Sequence, residues 1–569
     1  MTLKMAYSEG ITASTVALGA IAAAAIYLTT KVIYRLYLHP LSRFPGPRLA
    51  AVTYLYGAYY DVIEDAQFVF KLGALHDIYG PVVRISPGEV HVRDSGFFET
   101  LHPGPGGRKT HRDKWHRANR ANGAPGSLAS AGPHALHRAR RAAVNPYFSR
   151  AAIAQLEAES IRAKVGLLCE RLQEHVSSSS AAAGAGAAGG EEEVVDVGAA
   201  MTALTLDVIT EYCYGDCYDC LRHPAFAPQW KRAMQGVFES TNVTKHFIWL
   251  LRLVNSLPAW LAVRMNPDIA VFVQCKSRLS AQARAFHAEQ EQQQQQQAGL
   301  DKDRKEGEKE VEEKENQPRA KTIFHGIMQA TSLPPAEKTV DRLADEAFVL
   351  LVAGAETTAR TLCVILCHLL SSPSVLTRLR AELDPIMKES AGGGWQRQPQ
   401  LPPSRVLEEL PLLRAVVQEG TRLAEPVTNR QILVAPEDDL VCSGGGGDIV
   451  IPRGTPVSQT FRDVLLDPEI FPEPREFDPD RFARAANEHP PRRLDRYLVS
   501  FSRGGRSCAG INLANAELYL TVAALVSRFD MELFDFDRAR DLDVVRDKFI
   551  GLPSQEARSI RFRFRPRGS

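Results

Sequence analysis

Apolar and polar residues along most of this chain recur with a helical period. Leu204, Val208, Ile209 and Tyr212 fall on one face of a 3.6-residue repeat. From Asp341 to Leu370 the apolar positions run around the whole circumference, which predicts a buried central helix. Pro411 to Leu423 and Ile511 to Val526 give two more helices. Strand-like runs are short and few: Val82 to Ile85, Val90 to Val92, Gln431 to Val434 and Ile560 to Phe564. The expected fold class is mainly α with small β-sheets at its edges.

The first apolar run is of another kind. No charged residue occurs from Ile11 to Thr30, and roughly twenty helical residues at about 1.5 Å each cross the ~30 Å hydrocarbon core of a bilayer. Lys31, Arg35, Arg43 and Arg48 follow it, whereas only Lys4 and Glu9 precede it. This bias places the bulk of the chain on the cytosolic side of a single-pass anchor. A cleaved signal peptide is the competing reading, and no small-residue cleavage site follows the run. The chain divides into an anchor over 1–34, a proline-rich hinge over 35–48 (Pro40, Pro45, Pro47) and a body over 49–569. Low-complexity inserts are expected near 177–193, rich in Ser, Ala and Gly, and near 289–318, with a glutamine run at Gln292–Gln297 and dense mixed charge from Asp301 to Glu315.

Composition removes some classes of function. Lys+Arg (68) and Asp+Glu (67) nearly cancel in 569 residues, so the chain lacks the basic excess of a nucleic-acid binder, and no nucleic-acid partner is expected. Nine irregularly spaced cysteines make a poor disulfide framework and fit a reducing compartment, where a free thiolate survives to bind metal.

The segment Phe501-Ser-Arg-Gly-Gly-Arg-Ser-Cys-Ala-Gly510 carries the most information. Two glycines allow a tight loop close to a flat cofactor. The helical pattern from Ile511 puts Cys508 at a helix start, where backbone N–H groups and the dipole favour a thiolate. Arg506 is placed to reach a carboxylate, and Phe501 to shield the sulfur. In the central helix, Ala353-Gly354-Ala355-Glu356-Thr357-Thr358 combines small residues with an acid and a hydroxyl. Thr357 can bond a helical carbonyl or a water, and Glu356 is suited to relaying protons.

These segments resemble the F-x-x-G-x-R-x-C-x-G and oxygen-activation motifs of the cytochrome P-450 superfamily. Glu419-Gly-Thr-Arg422 resembles its E-x-x-R motif, and Arg481 in Phe477-Asp-Pro-Asp-Arg-Phe482 the arginine that joins that pair into a structural triad. His137-Arg-Ala-Arg-Arg141 resembles the family's third helix. The resemblance spans roughly Tyr34 to Phe562 and is strongest to fungal, membrane-anchored members of secondary metabolism of the trichodiene oxygenase-like group.

The resemblance implies a cytochrome P-450 fold holding haem (heme b), with Cys508 as the axial thiolate. It implies haem contacts from His137, Arg141, Arg430, Phe501, Arg506 and Gly510, and proton handling by Glu356 and Thr357. It further implies an NADPH–cytochrome reductase partner, residence in the endoplasmic reticulum membrane with a cytosolic catalytic domain, and oxygen insertion into a lipophilic small molecule, a terpenoid or polyketide intermediate. Leu433 stands where many relatives carry a second arginine, and Leu465 and Leu466 where histidines are usual.

Arg496, Arg503 and Arg506 are expected to form a reductase-docking face, and the apolar stretch His246 to Val263 a membrane-dipping lip. Three other readings stay open: an iron–sulfur or zinc site at Cys213, Cys217, Cys220 and His223, a reductase-independent haem-thiolate isomerase or dehydratase, and a non-catalytic haem-binding protein.

Overall fold

The computed structural model describes residues 13–104, 111–117, 123–184, 194–258, 260, 261, 264, 269–304, 322–390, 401–444 and 447–568. Of the expected inserts, 185–193 and 305–321 lie outside the described residues. The parts that are described are helical. The Ser/Ala-rich segment continues the helix Arg162–Gly184, and the glutamine run lies in Ile269–Arg304.

The central helix Val340–Leu370 organises the rest. Its second half, from Ala355 onward, is almost wholly buried, as an apolar circumference requires. Thr339 caps its start by accepting the Arg342 N–H. Helix Val197–Tyr214 packs along it, and Thr205 Oγ1 donates to the Ala355 carbonyl at 2.9 Å. Helix Pro411–Ala424 crosses so close that a Cβ at Gly420 would overlap Ile365. Helix Ile511–Arg528 completes the buried bundle.

The sheets are small and peripheral. The largest has five strands in the order Val82–Ser86, Glu89–Val92, Pro456–Gln459, Gln431–Val434, Asp113–Lys114. A second pairs Arg561–Pro566 with Val194–Asp196 on one side and Phe529–Phe534 on the other. The four strand-like runs of the sequence are all present, with Ile560–Phe564 shifted to Arg561–Pro566.

The N-terminal helix Ala13–Ile33 runs on through a wider turn, Tyr34–Leu38, before Pro40. Its 23-residue apolar stretch Val16–Leu38 has mean hydropathy 1.8 and no buried part, so it is long and apolar enough to cross a membrane. The central helix passes the same length test, but it is mostly buried core.

Glu419, Arg422 and Arg481 meet in the interior, none more than 4% exposed. Glu419 Oε1 accepts from Arg422 Nη2 at 2.8 Å and from Arg481 Nε at 2.9 Å, while Oε2 accepts from Arg422 Nε at 3.0 Å. The remaining guanidinium hydrogens reach the carbonyls of Leu465, Pro472 and Pro474 at 2.6–2.8 Å. Replacing Glu419 with Ala leaves two arginines buried without their counter-charge. Loss of one partner of a buried ion pair costs about 3–5 kcal/mol. The Glu419→Ala variant is expected to show that loss, or to give no soluble protein, in chemical denaturation followed by circular dichroism. A midpoint within error of the parent would show that the pairs contribute nothing to stability.

Candidate active site

The cysteine segment forms one wall of an interior cavity, and the central helix forms the facing wall. The segment is held by its own backbone. Cys508 N–H donates to the Phe501 carbonyl at 2.8 Å, and Ser507 N–H to that of Gly504 at 3.2 Å. Gly504 adopts φ +68°, and a Cβ there would overlap the Pro103 carbonyl. That position therefore needs glycine for its backbone and for its contact. Gly505 meets neither condition, so only one of the two glycines is required by the fold.

Cys508 lies two residues ahead of Gly510, the N-cap of helix Ile511–Arg528. Its side chain is enclosed by protein yet keeps free surface on the cavity. Burial pushes the thiol above its ordinary range, while the Gly510 N–H and the Arg141 guanidinium act the other way. The thiolate-favouring field expected of a helix start is thus present, and desolvation outweighs it.

Across the cavity the central helix presents Ala353, Gly354 and Thr357. Thr357 Oγ1 donates to the Ala353 carbonyl at 2.8 Å, one of the two bonds open to it from the sequence. Gly354 also serves packing, since a Cβ there would come within 2.9 Å of Ile209. Glu356 is buried off the cavity wall, and its Oε2 has no hydrogen-bond partner among the described residues. Burial raises its carboxyl to about 7, with Lys231 and Arg360 pulling downward.

A second acid escaped the sequence reading. Glu517, on helix Ile511–Arg528, lies on the cavity wall at 1% exposure, with Oε1 unpartnered among the described residues. Burial holds its carboxyl well above the ordinary range, and Thr358 beside it opposes that. The available signal was an acid in an otherwise apolar helix, the same signal that singled out Glu356.

Cationic groups gather on the cavity's rim. His137 and Arg141 come from helix His134–Val144, Lys114 from a strand end, Arg430 from the segment before Gln431–Val434, and Arg506 from the cysteine loop. Burial and mutual repulsion lower His137 to about 3, and burial with Arg506 nearby lowers Lys114 to about 8. Burial lowers Arg506 to about 10.

Their donors are distributed differently from the expectation of direct carboxylate contacts. Arg506 donates to the carbonyls of Arg112, Ala131 and Gly132 at 3.2, 2.9 and 2.7 Å. Arg141 donates to the Ser507 carbonyl at 2.5 Å. Arg430 Nε pairs with Glu89 at 2.9 Å, and its buried Nη1 has no partner among the described residues. Leu433 is buried in the core of the five-stranded sheet, away from the cavity wall.

His137 is thus uncharged, and of the four cations only Arg430 has an ion-pair partner among the described residues. An apolar cavity lined by a sulfur and by cations that mostly lack ion-pair partners among the described residues fits a flat, apolar group with an anionic edge. Haem, the group the sequence motif implies, answers that description.

The remaining sequence readings fare unevenly. Cys213 and Cys220 are buried with their thiols pushed up, and no group of three metal-ligating side chains occurs among the described residues. In the expected docking trio, Arg496 is exposed but paired with Glu99 at 2.7 Å, Arg506 faces the interior, and Arg503 is half-buried, donating to the Asp495 carbonyl at 2.9 Å. In the expected lip, Trp249, Leu253 and Trp260 are more than half exposed.

Comparison with known proteins supports the same conclusion. Residues 47–555 match the Cytochrome P450 family. The cytochrome P450 monooxygenase MO6277 of Ascocoryne sarcoides is 37% identical over 95% of this chain and 97% of its own length. The cytochrome P450 monooxygenase TRI4 of Fusarium sporotrichioides is 33% identical over 94% and 93%, and the tryptophan 6-hydroxylase fscE of Fusarium equiseti 35% over 93% and 93%. A cysteine loop facing a small-residue helical turn across one cavity, in a chain matched end to end by such relatives, belongs to the cytochrome P450 family of haem-thiolate monooxygenases.

Proposed function

We propose that this enzyme inserts one oxygen atom of O2 into a lipophilic biosynthetic intermediate, a terpenoid or polyketide scaffold. It does so at the endoplasmic reticulum membrane, with electrons delivered by a separate NADPH–cytochrome reductase. The observation that carries this reading is that the sulfur of Cys508 and the Ala353–Thr357 turn face the same apolar cavity. The bound haem supplies oxygen activation, and a thiolate ligand favours O–O cleavage.

The chain's own residues then have separable tasks. Cys508 ligates the metal. Arg141 and Arg430 neutralise the anionic edge, with Arg430 Nη1 free to donate, and the neutral imidazole of His137 offers that edge a hydrogen bond. Arg506 acts through the backbone, tying the cysteine loop to residues 112 and 131–132. Phe501 covers the sulfur, and the Gly510 N–H supports its negative charge. Thr357 positions a proton donor at the cavity, and Glu356 supplies protons from the interior, where a carboxyl held near 7 exchanges readily at neutral pH. Glu419, Arg422 and Arg481 are structural. The exposed apolar helix over 16–38 anchors the chain, with Trp249 and Trp260 offering further apolar contact.

The presence of both Glu356 and Thr357 favours this reading over reductase-independent isomerisation and over haem binding without turnover. The reduced carbon-monoxide difference spectrum is expected to show the strongly red-shifted Soret band of thiolate ligation, absent in Cys508→Ala. A histidine-type band in the parent protein would refute the assignment, and turnover without NADPH would favour the isomerase reading.

Glu356 gives a second test. A carboxyl held near 7 in the folded chain and near 4.5 in the unfolded one binds more protons when folded. Its burial therefore lowers stability progressively as pH rises through that window. Glu356→Gln is expected to gain in melting temperature over the parent between pH 4.5 and pH 8, and to lose roughly 10²-fold in product formed. A melting-temperature difference that does not change with pH would remove Glu356 from this role.

A further inference from the structure

The cavity has a polar terminus that oxygen chemistry does not use. On the central helix, Glu346, Val349, Leu350, Ala353, Gly354 and Thr357 fall on one face, at i, i+3, i+4, i+7, i+8 and i+11, and all lie on the cavity wall. Glu346 is the first of them, eight residues before Gly354, or about 12 Å along the helix. It is 1% exposed.

One of its carboxylate oxygens is fully engaged. Oε2 accepts the Leu128 N–H at 3.0 Å and pairs with Arg342 Nη2 at 2.8 Å. The other, Oε1, is buried without a hydrogen-bond partner among the described residues. An unsatisfied buried acceptor costs about 1–3 kcal/mol, more when charged, and a fold retains such an atom at low cost only where something else meets it. The wall nearby combines apolar Leu128, Val349 and Leu350 with Ala129, whose carbonyl already accepts from Lys114 Nζ at 2.9 Å.

Resting on the monooxygenase reading, we propose that Glu346 Oε1 is the substrate's polar anchor. It accepts a hydrogen bond from a hydroxyl or N–H group on an otherwise apolar scaffold and thereby selects which end of the molecule enters first. The substrate class is thus a lipophilic molecule that already carries a donor, remote from the carbon to be oxygenated. A reaction that installs that hydroxyl or N–H donor must precede this one. An anionic substrate end would be repelled.

The local donors make a specific test possible. In Glu346→Gln the amide oxygen must turn toward Leu128 N–H and Arg342, since both are donors, so the amide NH2 takes the place of Oε1. The anchor then changes from an acceptor to a donor. The probes are para-phenylphenol and its methyl ether, which differ only in the donor, titrated calorimetrically into the full-length haem-loaded protein with the carbon-monoxide spectrum recorded for each preparation.

The parent is expected to bind the phenol at least about tenfold tighter than the ether, which corresponds to ~1.4 kcal/mol. In Glu346→Gln the ratio falls to about one or inverts. Equal affinities in the parent, a measurement that requires no variant, would overturn the proposal, as would a ratio that survives the substitution. A missing thiolate band with the phenol preference intact and lost on substitution would count against the monooxygenase reading and support the anchor. A normal band with a parent ratio of one would do the reverse.

Discussion

Glu419 holds two guanidinium groups at once in the buried interior, and the position of the cysteine follows from it. Its helix, Pro411–Ala424, lies against the central helix through the Gly420–Ile365 contact. The same helix reaches the cysteine loop directly, because Ser500 Oγ donates to the Thr421 carbonyl at 3.1 Å, one residue from Arg422 and one from Phe501. Arg481 secures the opposite flank through the Pro472 and Glu476 carbonyls. Two buried cations on one carboxylate are tolerable only when nearly every remaining hydrogen finds an acceptor, and the loop carbonyls supply those acceptors. The ion pairs and the course of the loop therefore specify each other. The cavity between Cys508 and Gly354 is what lies between two elements tied to this one helix.

The helical framework was legible in the sequence because burial demands periodicity. The central helix was expected from Asp341 and begins at Val340, and Pro411–Leu423 extends by a single residue. Strands fared less well where pairing partners are distant. Pro456–Gln459 opens with a proline and pairs in parallel with Glu89–Val92, some 370 residues away, so nothing local marks it. Phe529–Phe534 follows a helix without a turn residue and alternates only weakly. The glutamine run shows the converse, since composition alone cannot separate a solvated loop from a solvated helix.

The site divides in the same way. The cysteine loop could be read because its residues are contiguous and Gly504 has no substitute there. The direction of the Arg506 guanidinium could not, because its three acceptors lie nearly four hundred residues earlier in the chain. Glu346 and Glu517 were missed for another reason, although an acid in an otherwise apolar helix was a signal for Glu517. Acids in helices usually face water, and only the packing of other elements shows that these two do not.

The cavity gathers buried charge of both signs without pairing most of it. His137, Lys114 and Arg506 are driven toward their neutral forms by burial, as are Glu517 on the wall and Glu356 off it. Every one of these shifts records an unfavourable environment for the charged state in the protein alone. Such groups persist because the protein they destabilise is not the working species. An anionic edge among the cations relieves several at once, and any ligand that binds only the folded state adds its binding free energy to stability. The strain is therefore local and directional. It is greatest where the cofactor's edge and the substrate's donor would lie, and it falls away into the apolar bundle held by Glu419, whose own charges are fully met.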